Sequence, residues 1–229
     1  MNKLIEPPGF SSADVRAFFT RKIIGDGAET VEAVSREVNM PGDRIYLPVQ
    51  KHTGTVHVLD SDLKPVVADA VLTGNTNLVI GVLVADCVPI LLYEPVRKVA
   101  GAVHAGWRGT AQQILKNTIA VMGHRFDCMP RDILIAIGPS IRQCSYEVGK
   151  AVIEEVERAT GEGPYYHKEG DKFFLDIASA NKIQALSMNV PEENIWQSRE
   201  CTFCNPEKYH SYRYSGDCAG RQGGFIIMW

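Results

Sequence analysis

Concentrated positive charge is absent from this sequence. Its 229 residues carry 24 Lys and Arg against 27 Asp and Glu, a formal net charge of −3, and no basic run stands out. No nucleic-acid partner is expected, because phosphate contacts need a concentrated basic face. Long apolar runs are absent too. The most apolar stretch, Leu78 to Tyr93, is broken by Asp86 and is too short to span a bilayer, so no membrane partner is expected. It reads as a buried strand region. The stretch Met1 to Phe10 carries Glu6 and the pair Pro7–Pro8 and lacks the apolar core of a signal peptide. Six cysteines are present, and a chain of this size without a secretion signal is expected to keep them reduced, in the cytoplasm. No repeat, low-complexity tract or Gly/Ser linker marks a boundary, so residues 1–229 read as a single domain.

What is present is an ordinary globular composition, 45% hydrophobic and 22% charged, which excludes disorder and supplies a sizeable core. Leu78–Val84, Val99–His104, Ile133–Ile137 and Phe225–Trp229 are compact apolar runs suited to buried strands. Thr55–Leu59 and Val66–Thr73 read as less regular strands. Three helices are expected. The first spans Thr110–Met122, opened by a capping box of Thr110 and Gln113 and stopped by Gly123. The second spans roughly Val148–Ala159. The third follows Asp176 as N-cap and turns Ile177, Ala180, Ile183 and Leu186 inward. Strands interleaved with helices give an α/β (mixed α+β) class, a layered sandwich with a mixed sheet.

Reactive side chains gather in three segments beside expected strand ends: Gln50-Lys51-His52-Thr53-Gly54, Ala85-Asp86-Cys87-Val88-Pro89 and His104-Ala105-Gly106-Trp107-Arg108-Gly109. Glycines and polar residues at a strand-to-helix corner let the backbone approach a ligand, and a helix start attracts anions. Each residue also has a plainer reading. A Cys at a strand end is a small core hydrophobe and a lone His a hydrogen-bonding group. The spacing, 35 residues from His52 to Cys87 and 17 more to His104, matches no compact zinc-finger pattern. On residues alone, metal binding and packing both stand.

The wording of the segments adds to this. "QKHTGTV", "ADCVPILLY", "HAGWRG", "GPSIRQCSYEVG", "LDIASANKIQ" and "CTFCNPEKYHSYRYSGDCAGR" occur in this order, and with them the chain resembles the YfiH-like, or laccase-domain-containing, family of purine nucleoside-metabolising enzymes from about Phe19 to Trp229. The resemblance implies one zinc per chain, held by His52, Cys87 and His104. It implies phosphorolysis of adenosine, inosine, guanosine and methylthioadenosine, deamination of adenosine, and a fold similar to the catalytic domain of the bacterial cytotoxic necrotizing factors. Three mixed Cys and His ligands leave one tetrahedral position open, which marks a catalytic zinc site and suits activation of a water for attack at purine C6. Phosphorolysis needs a phosphate site. Arg108, with the N–H groups of the Thr110 helix, is the candidate, and packing of the Trp107 corner is the alternative.

Asp86 is a candidate catalytic residue that orients His52 or His104, or else caps a turn. Arg213 and Arg221 are candidates for the anion site or else solvated surface arginines, with Arg213 as a candidate substrate-binding residue. The family often has paired cysteines where Cys144 and Ser145 stand. Cys201 and Cys204 have knuckle spacing but too few neighbouring ligands, so they read as packing. His57, His124 and His167 read as surface or packing residues. Many family members carry a "GGVS" loop and an "NLG" segment before a "GD" turn. Here Thr20-Arg21 runs almost straight into Gly25-Asp26, and Ser35 replaces the usual Asn, which leaves substrate choice open. Three other functions compete: a metal-free Cys–His hydrolase with Cys87 as nucleophile and His104 as base, a copper polyphenol oxidase, and a cell-wall maintenance factor with a structural metal. Six histidines are few for the copper sites of a blue-copper oxidase. Oligomeric state is left open.

Overall fold

Strands of apolar residues pair into two mixed sheets whose alternating side chains face each other on one side and helices on the other. The computed structural model describes residues 4–22 and 27–229. Met1 to Lys3 and the Gly25-Asp26 turn lie outside the described residues. The elements in chain order are β1 Leu4–Ile5, β2 Val15–Thr20, α1 Gly27–Val38, β3 Ile45–Tyr46, β4 Val56–Val58, β5 Ala70–Thr73, β6 Leu78–Val84 and β7 Val88–Glu94. Then follow β8 Val99–Ala105, α2 Trp107–Ala111, α3 Ile114–Phe126, β9 Leu134–Ile137, β10 Glu147–Val148, α4 Lys150–Thr160 and β11 Tyr166–Glu169. The chain closes with β12 Lys172–Leu175, α5 Ile177–Ser187, β13 Ile195–Gln197, α6 Tyr212–Ser215 and β14 Gln222–Met228.

The first sheet has the order β1-β2-β14-β6-β3, and only its β3–β6 edge is parallel. The second has the order β13-β9-β7-β8-β5-β4, antiparallel in the middle and parallel at both edges. Because successive strand residues point to opposite faces, each strand serves two layers. Ala17, Phe19, Ile80 and Ile226 of the first sheet meet Val71, Leu91, Ala100 and Ala102 of the second. The outer face of the first sheet, with Phe18, Val79 and Phe225, is covered by Val34 and Val38 of α1. Leu72, Ile90, Leu92 and Val103, on the outer face of the second, pack on Ile114, Leu115 and Ile119 of α3, Ile153 of α4 and Ile177 of α5.

The expected α/β class with mixed sheets is observed, and four local expectations change. The Leu78–Tyr93 run is two strands in different sheets, parted at Asp86, whose φ is 82°. The Thr110 helix begins earlier, at Trp107, with Gly106 as its N-cap and no side-chain cap bond. Thr110 N–H already bonds Gly106 O, and the helix breaks at Gln113, whose φ is 59°. Asn181 of α5 donates to Thr110 Oγ1 at 2.9 Å and Gln184 to Thr110 O at 3.0 Å, so tertiary bonds replace the capping box. Those bonds also put Asn181 and Gln184 on the buried face of α5 alongside Ile177 and Ala180, while Ile183 and Leu186 are half-buried. Gly123 does not stop the helix. α3 continues to Phe126 and ends at Asp127, in the left-handed region at φ 56°. Asp176 is the N-cap of α5 as expected, accepting from Ser179 N–H at 3.0 Å.

Candidate metal centre

Three adjacent strands bring the reactive residues to one end of the second sheet. In the β7–β8 register Val88 faces Ala105 and Pro89 faces His104, so Cys87 comes level with Gly106 beside His104. On the other side of β8, Ala70 of β5 faces Val103, which sets Asp69 against His104. His104 N–H donates to Asp69 O at 2.7 Å.

His52 arrives on the loop between β3 and β4, and the Asp69 carboxylate holds that loop. It accepts from the backbone N–H groups of Lys51 (3.1 Å), His52 (2.9 Å) and Thr53 (2.6 Å) and from Thr53 Oγ1 (2.8 Å). His52 sits at φ 58°, a left-handed conformation that costs a non-glycine residue roughly 1–3 kcal/mol and persists only where the surroundings fix it. Three consecutive amides bound to one buried carboxylate supply that fixing. Gln112 adds to it, donating to His52 O at 3.3 Å and accepting from Gly54 N–H at 2.9 Å.

His52, Cys87 and His104 each place a donor atom within 4.8 Å of the other two. Cys87 Sγ lies 3.8 Å from His52 Nε2, and the two imidazoles meet edge-on with centroids 4.8 Å apart. Donors held about 2.0–2.3 Å from a tetrahedral ion are separated by roughly 3.5 Å, so the set fits a single metal ion. His104 Nδ1 is bonded to Asp69 Oδ1 at 2.8 Å, which fixes the ring and turns its other nitrogen toward Cys87. Gly106 is required at the corner: a Cβ there would stand 2.9 Å from Cys87 Sγ and 3.1 Å from His52 Cδ2. The first turn of α2 therefore starts in direct contact with the cluster.

The charges agree with this arrangement. Burial alone would raise the Cys87 thiol, but the positive charge of His104 and hydrogen bonds from both histidines bring it down to about 6. Burial opposes a charge on His104, yet the Cys87 thiolate and Asp69 push it up to about 9. Asp69 would also be raised by its burial, and the bonds from His104, Thr53 and Lys51 hold it far below the usual carboxylate range. Without a metal, Cys87 and His104 form a thiolate–imidazolium pair, and a bound cation takes the place of the His104 proton.

The remaining expected residues lie outside the cluster, in separate contacts. The Asp86 carboxylate bonds neither histidine. It accepts from Thr202 Oγ1 (2.6 Å), Ser211 Oγ (3.0 Å) and Arg213 N–H (2.7 Å), and Asp69 occupies the orienting position on His104. Arg108 is exposed and lies over the Trp107 ring at 4.3 Å, beside an open depression of about 490 Å³ that Gln112, Glu155 and Arg158 also line. Arg213 lies 5.0 Å over the ring of Tyr146 and donates to Glu147 O at 3.0 Å. Arg221 donates to Ala219 O and Gly220 O of its own loop. His57 packs on Tyr46 and His167 stacks on Phe174.

Sequence reasoning missed Asp69 and Tyr146. A signal for Asp69 was present: an acid inside the apolar Val66–Thr73 run must find donors if that run is buried. Burial and the nearby charge of Cys87, opposed by Arg213 and Arg108, push the Tyr146 phenol up to about 12. It is therefore neutral at ordinary pH. Among the described residues, no helix is long and apolar enough to cross a membrane.

The family model described as multi-copper polyphenol oxidoreductase laccase matches residues 9–229. A purine nucleoside phosphorylase of Clostridium acetobutylicum is 39% identical over 183 residues, covering 78% of this chain and 74% of that protein. An adenosine deaminase, RL5, from an unknown prokaryotic organism is 32% identical over 192 residues, covering 78% of this chain and 73% of its own. The crystal structure of YlmD from Geobacillus stearothermophilus superposes with a TM-score of 0.92 at 27% identity, over 99% of this chain and 96% of that one.

Two measurements check the centre. Asp69→Asn should weaken metal binding by about 10–100-fold, because an amide cannot accept from His104 and three amides together. Competition with a chromophoric chelator reads this, with a thermal melt to confirm folding, and unchanged affinity would remove Asp69 as the orienting group. In metal-stripped protein, alkylation of Cys87 should rise with a midpoint near pH 6, because the thiolate is populated above the lowered pKa of about 6. Cys128, pushed up to about 12 by burial, should stay unreactive there. Peptide mass spectrometry follows both sites, and His104→Ala should move the Cys87 midpoint upward.

Proposed function

The chain belongs to the family described as multi-copper polyphenol oxidoreductase laccase, and from that membership and the metal centre we propose that it is a zinc-dependent purine nucleoside phosphorylase that also deaminates adenosine. Its substrates are adenosine, inosine, guanosine and methylthioadenosine, with phosphate as co-substrate. The observation that carries the reading is the His52–Cys87–His104 donor set lying against the glycine-opened start of α2. The relatives named purine nucleoside phosphorylase and adenosine deaminase support the substrate class. We also read residues 1–229 as one domain, since the inner core is built from both sheets, and place the enzyme in the cytoplasm with all six cysteines unpaired.

His52, Cys87 and His104 would hold one zinc ion, which when bound supplies Lewis-acid polarisation and activates water near neutral pH. The chain's own residues do the rest. Asp69 keeps His104 in the tautomer that offers its free nitrogen to the cluster. Arg108 is the phosphate contact: stacking on Trp107 fixes the plane of the guanidinium and leaves its N–H edge for oxyanions. Arg213, held over Tyr146, is the substrate contact. Asp86 acts as a positioning residue there, since it binds the Arg213 backbone and precedes Cys87. Tyr146, neutral at pH 7, presents a hydrogen-bonding phenol between the two arginines.

The copper in the family description is not adopted. Multi-copper oxidation needs further histidine clusters. Among the described residues, His52 and His104 are the histidines that join a group of potential ligands. One rival does gain from the geometry. Asp69, His104 and Cys87 form a hydrogen-bonded line of the kind that activates a nucleophilic thiol, which suits a metal-free hydrolase and the toxin-like fold that the sequence implies. Metal analysis separates the two, because the hydrolase needs no ion at all.

With adenosine and phosphate, the expected products are adenine and ribose 1-phosphate with some inosine. Without phosphate, deamination alone persists. Chromatography of the products tests this: no free base and no inosine from any nucleoside tried, with zinc present, overturns the assignment. Arg108→Ala should cut phosphate-dependent turnover about a hundredfold, as loss of an oxyanion contact worth roughly 2–4 kcal/mol does, and leave metal content unchanged. Undiminished phosphate dependence would confine Arg108 to packing on Trp107.

A further inference from the structure

Outside the metal centre, a second group of potential ligands joins parts of the chain far apart in sequence. Cys144, Cys201 and Cys204 bring their sulfurs within 4.8 Å of one another, and none is in a disulfide. The knuckle spacing of Cys201 and Cys204 lacked neighbouring ligands on sequence alone. The fold supplies a third thiol, with Cys144 Sγ 3.5 Å from Cys204 Sγ. Two thiolates bound to one tetrahedral zinc ion at about 2.3 Å each lie roughly 3.8 Å apart, so this separation suits a shared ion.

The frame is built before any ion arrives. Ser140 pairs with Cys201 in a parallel bridge, and Thr202 N–H donates to Ser140 O at 3.1 Å. Asn205 Nδ2 donates to Cys201 O at 2.8 Å, closing the knuckle turn. Arg142 anchors the Cys144 turn through Asp176 and Ser198 O. Cys201 is buried whereas Cys144 and Cys204 are exposed, so the cluster opens to solvent. Ser145 Oγ stands 3.0 Å from Cys204 Sγ at that opening. The positions of the three sulfurs are thus fixed by backbone bonds and a buried ion pair.

We propose that Cys144, Cys201 and Cys204 form a second metal site, specific for a thiophilic ion, zinc(II) in the first instance. The fourth position is taken by water or the Ser145 hydroxyl. Binding releases the three thiol protons and leaves the sulfurs as thiolates, with no change of oxidation state. The site is separate from the His52–Cys87–His104 centre, and it stands whether or not the nucleoside reading does. It is also mechanically joined to that centre, because Thr202, between the two knuckle cysteines, donates to the carboxylate of Asp86, the neighbour of Cys87.

The test uses full-length protein prepared anaerobically with reductant, stripped of metal and reloaded with zinc or cobalt(II). About two zinc ions per chain are expected, falling to about one in Cys144→Ser/Cys204→Ser, whose changes lie on exposed side chains, and also to about one in Cys87→Ala. Thiolate-to-cobalt absorption should fall to about a quarter in the double variant, since one thiolate remains out of four. A thermal melt confirms that the variant is folded. A single zinc in the unmodified protein that the double variant retains, or cobalt bands that ignore the double substitution, overturns the site. A Cys144–Cys204 disulfide in the reduced, metal-loaded protein overturns it as well, in favour of a redox pair.

Discussion

A carboxylate with no solvent exposure holds the metal centre in place. Asp69 is fully buried, and a lone buried charge is strongly unfavourable, so it is stable only with several donors around it. It has the imidazole of His104, three consecutive backbone amides and the hydroxyl of Thr53. Every one of those donors belongs to a ligand or to the loop that carries one. The charge that had to be satisfied for the chain to fold is thereby the charge that orients His104 and bends the His52 loop into its left-handed conformation. The fold could not bury Asp69 without assembling most of the centre.

The large elements of the fold were legible because both sheets are covered on both faces. Strands such as Leu78–Val84 and Val99–Ala105 then read as unbroken apolar runs. The same property blurred one boundary. β6 and β7 are equally apolar, only three residues apart, and lie in different sheets, which no periodicity distinguishes. Two-residue strands such as β1, β3 and β10 carry too few side chains for any pattern. The helix after His104 was misplaced for another reason. Thr110 looks like a cap in isolation, but its hydroxyl and carbonyl are committed to Asn181 and Gln184, 71 and 74 residues away.

At the site, the three candidate ligands were legible through family wording more than through spacing. They stand on a strand, on the turn that enters its neighbour and on a loop, so their sequence separations obey sheet topology and resemble no local motif. Asp69 was hidden because its role depends on the β5–β8 register, which fixes it opposite His104. Cys144 was hidden from the Cys201–Cys204 pair in the same way, 60 residues separating it from Cys204. What sequence carries well is which residues are reactive. Which of them meet is decided by register.

Asp86 shows how the metal centre and the Arg213 segment are tied together. Its backbone, at φ 82°, turns the chain from the first sheet into the second and delivers Cys87. Its carboxylate faces the other way and gathers Thr202, Ser211 and the amide of Arg213. One buried acid therefore fixes a ligand through its main chain and the Arg213 segment through its side chain, while Asp69 fixes both histidines. Each carboxylate is surrounded by donors. The centre shifts two other groups, the Cys87 thiol down to about 6 and the His104 imidazole up to about 9. A metal ion that takes those donors removes both from titration. The acids that build the site and the residues that carry its cluster of donor atoms are distinct sets, and the separation follows from which charges the fold had to bury.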